Sequence, residues 1–340
     1  MNRRHFFLGL SGLAGCTSGR PQRLNVYNWS NYIAPDTVSN FEKEFGVRVR
    51  YAIYESNEEL LAKVMTGNSG WDVVFPTNYL ILPMRENRLL SPLQHRWLEN
   101  LGHLEPRFQR PSWDPGLTWC VPYMWGSTGI TFNRKVDLPP AAWADLWRDN
   151  LRGKITMLDD PAEVIGACLK KLGYSLNSTD PAQLSRARQE AISQKSLVRA
   201  YLNAEVRDQL VAGDVLASQL WATTSQQAMD AAAHLAFTYP QEGFALWADN
   251  AAVLRESRRQ ELAHRFINYL LRPAVAASIV RATRTATPNQ SARNLLPPEE
   301  RQNPVLYPPE STLSRGEWFE PLPAPAQRLR DRIWTEIKAS

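Results

Sequence analysis

Cysteine is scarce in this chain, with three in 340 residues. Cys16, Cys120 and Cys168 form no C-x-x-C pair and no metal-ligand spacing, so neither a dithiol redox motif nor a structural zinc site is expected. Cys120 and Cys168 are expected as buried free thiols. Histidine is equally sparse. His5, His95, His103, His234 and His264 are dispersed, which argues against a metal centre or a histidine-based catalytic group. No G-x-S-x-G elbow, P-loop or H-E-x-x-H occurs, so the sequence points away from an enzyme and calls for no cofactor and no metal. No stretch reaches 18 uninterrupted apolar residues, so no transmembrane helix is expected. The net charge is +5, but the basic residues are scattered, without a run of five. That gives no electrostatic footprint for nucleic acid.

What is present is ordinary globular material with an aromatic excess. Hydrophobic residues make up 44% and charged residues 21%, and there are 12 tryptophans and 24 prolines. The length suits two lobes with real cores. The opening MNRRHFFLGLSGLAGC carries Arg3 and Arg4, a short apolar run, then small residues before Cys16. This reads as an export signal over 1–15 and is set aside from fold reasoning. The paired arginines resemble a twin-arginine signal, and Leu13 to Cys16 resembles a bacterial lipobox with Cys16 as the lipidated residue. Residues 16–23 read as a tether.

Beyond the tether, strands are expected at 23–29, 47–54 and 71–77, alternating with helices at 34–46 and 57–67. A long extended stretch follows at 118–133, then a helix at 141–148, a strand at 153–160 and a helix at 162–174. The next helix has Thr179 or Asp180 as its cap, and the segment from 204 repeats helix, strand and helix. Residues 235–255 return to strands, and 260–283 is helical. A proline-rich loop over 297–325 leads to a last helix near 326–338. The strand–helix alternation implies an α/β fold with a largely parallel sheet, and such sheets place ligands outside the carboxyl ends of their strands.

Within 235–255 lies ALWADN, residues 245–250. On a strand, Trp247 and Asp249 share a face. A core does not favour the unpaired carboxylate, and a solvated surface does not favour the indole. A ligand both cationic and apolar accounts for the two together. Asp160, Pro161 and Glu163 carry a simpler local meaning: an N-cap, a first-turn proline and a capping box.

Nine segments, in order, carry a resemblance: YNWSNYIAPDTVSNFEKEFGVRV, YESNE, VPYMWGSTGITFN, LDDPAEV, LKKLGYSLNSTDP, YPQEGFALWAD, FINYLLRPAVA, TPNQSAR and LYPP. They resemble the periplasmic spermidine/putrescine-binding proteins of bacterial ABC importers over about 24–338. The resemblance implies a two-lobed periplasmic-binding fold of type II, each lobe a mixed sheet flanked by helices, with the ligand cleft between the lobes. One lobe would comprise 24–126 plus 248–292, the other 127–247 plus 293–340. It also implies a polyamine ligand, ABC permease subunits as partners, an extracytoplasmic location, a lipid anchor at Cys16 and a monomer.

Carried over residue by residue, the ligand set is Trp29, Ser30, Tyr32, Thr77, Tyr79, Asp160, Glu163, Trp221, Trp247 and Asp249. Carboxylates would meet the ammonium ends, and aromatic faces the methylenes between them. The positive end of a helix disfavours a cation beside Asp160, which gives Glu163 the larger share. Three positions depart from the pattern. Asn31 stands where an acid can occur, Thr285 where a tyrosine is common, and Thr335 is taken as matching a glutamine. These leave the choice of polyamine open. A same-fold binder of another small solute, or a polyamine sensor docking on a receptor, is the alternative.

Overall fold

The computed structural model describes residues 21–340. The export signal, Arg3, Arg4, Cys16 and most of the tether lie outside the described residues. Within them are ten strands: β1 (Arg23–Trp29), β2 (Arg48–Tyr54), β3 (Val73–Val74), β4 (Cys120–Asn133), β5 (Ile155–Met157), β6 (Val198–Tyr201), β7 (Ala217–Trp221), β8 (Leu235–Thr238), β9 (Phe244–Val253) and β10 (Gly316–Trp318). Their order is β2-β1-β3-β9-β4-β7-β5-β6, with β10 added beside β9 and β8 beside β4.

The two outer arms, β2-β1-β3 and β6-β5-β7, are parallel, as the strand–helix rhythm implies. The centre is not. β9 runs antiparallel to both β3 and β4, and β4 runs antiparallel to β7 and β8. These central pairings join segments far apart in sequence, which a local rhythm cannot report. β4 is the seam. Cys120 to Ser127 pair with β9, and from Thr128 onward β4 pairs with β7 instead. Every residue of β4 and β9 is buried. The sheet is therefore mixed and carries its longest strands where the two arms meet.

Several expected elements shift for local reasons. The helix expected over 34–46 starts later, as Thr37–Phe45, and Gly46 closes it in the left-handed region at φ +64°. The helix after it is Asn57–Val64, capped by Ser56, whose hydroxyl accepts from the Glu59 N–H. Of 71–77, Val73–Val74 form the strand, and Thr77 adds an isolated bridge to Asp249. The helix expected over 141–148 is a short 3-10 segment, Trp143–Trp147, in which the Asp145 carboxylate accepts from the Ala141 and Ala142 N–H groups. The helical span 260–283 is two helices, Gln260–Leu270 and Pro273–Thr283. Pro273 lacks the N–H needed to continue the first and suits the start of the second. Asp180 caps the helix Pro181–Lys195. The expected loop over 297–325 contains β10, and β6 was not foreseen at all; both are too short to show a period.

Cys120 and Cys168 are buried and unpaired, as expected. Among the described residues, no helix is long and apolar enough to cross a membrane.

Candidate functional site

Following the strands to their ends locates the site. β1 ends at Trp29 and turns through Ser30 and Asn31 into Tyr32. Thr77 and Tyr79 lie just beyond β3. β5 leads into Asp160 and the helix Pro161–Lys171, which carries Glu163, and β7 ends at Trp221. Trp247 and Asp249 lie in β9. All ten residues singled out from the sequence line one cleft of about 780 Å³, open to solvent.

Asp249 lies deep in it, 5% exposed. Thr77 donates its hydroxyl to Oδ1 and Tyr32 donates to Oδ2, both at 2.7 Å. Behind them Asn57 donates to the Thr77 hydroxyl at 3.0 Å and to the Tyr79 hydroxyl at 2.8 Å. The backbone there is pinned as well. Thr77 bridges Asp249, and Asn78 accepts from the Ala248 N–H. Burial pushes the Asp249 carboxyl up to about 7, while the two hydroxyl donors hold it down.

Glu163 is 3% exposed on the opposite wall. Its Oε1 accepts from the Thr128 hydroxyl at 2.6 Å and from the Trp221 indole N–H at 3.1 Å. Asp160 caps its helix, accepting from the Glu163 N–H at 3.1 Å. The capping-box reading is thus half right. Asp160 caps, but the Glu163 side chain turns into the cleft, where Thr128 and Trp221 hold it. Both carboxyls are raised, chiefly by burial. Glu58 adds like charge against Asp160, and Asp160 adds it against Glu163.

The aromatic walls are fixed in place. Trp29 donates its indole N–H to the Phe75 carbonyl at 2.9 Å. Trp247 lies across Gly126, its direct partner in β4; a Cβ on Gly126 would sit 2.5 Å from the indole. Trp247 and Asp249 do share a face, as ALWADN implies, and a glycine on the neighbouring strand makes room for the ring.

The cleft also holds residues that the sequence did not single out. Glu55 and Asn57 follow β2, Ala204 follows β6, and Thr223, Thr224 and Gln227 lie on the helix Ala222–Ala231. YESNE holds two of them, but its glutamates and asparagine have nothing local to mark which face the cleft. Phe319 enters after β10, its ring edge-on to Tyr79 at 5.7 Å between centroids. The expectation for Thr335 is corrected. Thr335 is exposed on the last helix, bonded to the Asp331 carbonyl, and Thr285 is buried; neither lines the cleft. From the C-terminal segment it is Phe319 that does. Asn31 does line it.

The model of the family described as bacterial extracellular solute-binding proteins matches residues 36–308. The chain belongs to that family. The spermidine/putrescine-binding periplasmic protein of Salmonella typhimurium is 33% identical over 96% of this solute-binding protein and 95% of its own length. The putrescine-binding periplasmic protein PotF of Escherichia coli is 31% identical over 96% and 94%. Among solved structures, the spermidine/putrescine ABC transporter substrate-binding protein PotD of Streptococcus pneumoniae superimposes with a TM-score of 0.81 at 31% identity, covering 94% of this chain and 99% of that one. The TpPotD lipoprotein of Treponema pallidum gives 0.83 at 26%, covering 93% and 99%. A GABA receptor, 21% identical with a TM-score of 0.75 over 94% and 97%, shares the fold alone. The two-lobed fold is therefore that of the periplasmic binding proteins, and the choice of ligand rests on the cleft.

Proposed function

We propose that this solute-binding protein captures a polyamine, spermidine or putrescine, and delivers it to an ABC importer. One observation carries the reading. Among the described residues, the cleft is lined by four acids, Glu55, Asp160, Glu163 and Asp249, and by no lysine, arginine or histidine. Buried carboxylates without a counter-charge are costly. A ligand with an ammonium at each end supplies the missing charges, and its methylenes suit Trp29, Tyr79, Trp221 and Trp247. Cation–π contact adds about 0.5–2 kcal/mol per ammonium. Tyr32, Thr77 and Ser30 orient the acids that meet the amines. An ω-amino acid, by contrast, brings a carboxylate that this lining would repel, and a sugar leaves the acids without a cation.

The mechanism is binding without chemistry. We assign one lobe to 24–126 plus 248–292 and the other to 127–247 plus 293–340. The switch of β4 from β9 to β7 after Ser127 supports that division. Asp249 then belongs to one lobe and Asp160 with Glu163 to the other. A cation held between Asp249 on one lobe and the Asp160–Glu163 pair on the other favours closure, because its contacts with both exist only in the closed state. The closed monomer docks on the permease. Lipidation of Cys16 would hold the carrier at the membrane, where its local concentration is high.

A thermal-shift panel tests the reading. Spermidine or putrescine should raise the melting temperature by several degrees, and glucose and γ-aminobutyrate should leave it unchanged. A shift with γ-aminobutyrate alone would overturn the assignment.

A further inference from the structure

β1 and β2 run parallel in register, with Trp29 opposite Tyr54. The residues just past their ends therefore emerge together at the rim of the cleft, and they are Ser30 and Glu55. The Ser30 N–H donates to the Tyr54 carbonyl at 3.3 Å, and the Ser30 hydroxyl donates to Glu55 Oε2 at 2.8 Å. That bond orients the carboxylate. Ser30 is its one side-chain partner among the described residues, and no base pairs with it there. Its neighbour on the rim, Asn31, is neutral and sits at φ +52°, so among the described residues Glu55 is the only formal charge on this edge of the lining.

Resting on the polyamine reading, we propose that Glu55 is a third anionic station and selects a triamine over a diamine. A diamine has two ammonium groups. Asp249 on one wall and the Asp160–Glu163 pair on the other account for both. Among the described lining residues, a third nitrogen finds its anion at Glu55. Because Glu55 is exposed, water and salt screen it, so its contribution is modest and falls with ionic strength. A rim charge of this kind acts largely on the rate of capture.

The test is calorimetry and stopped-flow fluorescence with spermidine and putrescine on the wild type, Glu55→Gln, Glu55→Asp and a control, Glu261→Gln. Glu261 is an exposed acid on the helix Gln260–Leu270, paired with Arg265 and outside the cleft lining. Glu55→Gln should weaken spermidine about two- to fivefold, with most of the change in the association rate at low salt. Putrescine should be unaffected, Glu55→Asp should recover part of the loss, and Glu261→Gln should change neither ligand. Equal weakening of both ligands by Glu55→Gln, or of neither, would overturn the assignment while leaving the polyamine reading intact. So would a wild type that binds putrescine but not spermidine. A wild type that binds no polyamine removes both.

Discussion

Asp249 and Asp160 are both aspartates in the same cleft, yet their surroundings give them different work. Asp249 is buried and both of its oxygens accept from hydroxyls, which carry no charge, so a cation is its natural counter-charge. Asp160 is half-buried and already caps a helix. Asp249→Asn should therefore weaken polyamine binding about 100-fold, in the range seen when a buried charge loses its partner. Asp160→Asn, which keeps the cap, should cost about tenfold or less; equal losses by calorimetry would contradict the division. Acidity follows from the same burial. The Asp249 carboxyl rises to about 7 from 3.8, so between those values the folded, empty protein holds a proton that the unfolded chain has lost. Stability without ligand should fall as pH rises through that window. A bound ammonium favours the anion, so affinity should rise from pH 6 to pH 8, and the thermal shift given by spermidine should grow with it. A shift that shrinks over that interval would count against ionised carboxylates as the binding groups.

Elements decide where those residues meet. The ALWADN pattern made Trp247 and Asp249 legible, because period-two alternation on a strand fixes their common face. Most of the outer parallel strands were legible too, from alternation between turn residues; β6, four residues long, was not. Gly126 was not, since nothing in VPYMWGSTG says that an indole from a strand more than a hundred residues away will lie on it. Phe319 was missed for a related reason: β10 is three residues long, and only pairing with β9 defines it. Thr335 was misplaced because counting along a proline-rich segment loses the register that pairing would fix. Gly126 yields a prediction at this scale. Gly126→Ala should push the Trp247 ring out of place and weaken polyamine binding about tenfold, with a stability loss of about 1–3 kcal/mol from overpacking. Trp247→Leu should remove most of that sensitivity in the double mutant. Independent, additive losses in affinity would show that Gly126 does not act through Trp247.

At the scale of the whole molecule, two parallel arms meet on β4 and β9, and the cleft opens at that junction. The two-lobed architecture was legible from the nine ordered segments; the antiparallel centre was not, because it joins distant stretches of chain. The proposed closure follows from the charges on the two walls. Small-angle scattering should show a smaller radius of gyration with spermidine than without it, and no such change with Asp249→Asn at the same ligand concentration. The central claim, that this cleft is built for an organic polycation, is tested most directly by calorimetric titration of the ligand-stripped protein at pH 8 with spermidine and putrescine, and with glucose as control. Micromolar or tighter binding of a polyamine, with no heat from glucose, is the predicted result. A folded, ligand-free protein that gives no heat with either polyamine would contradict it.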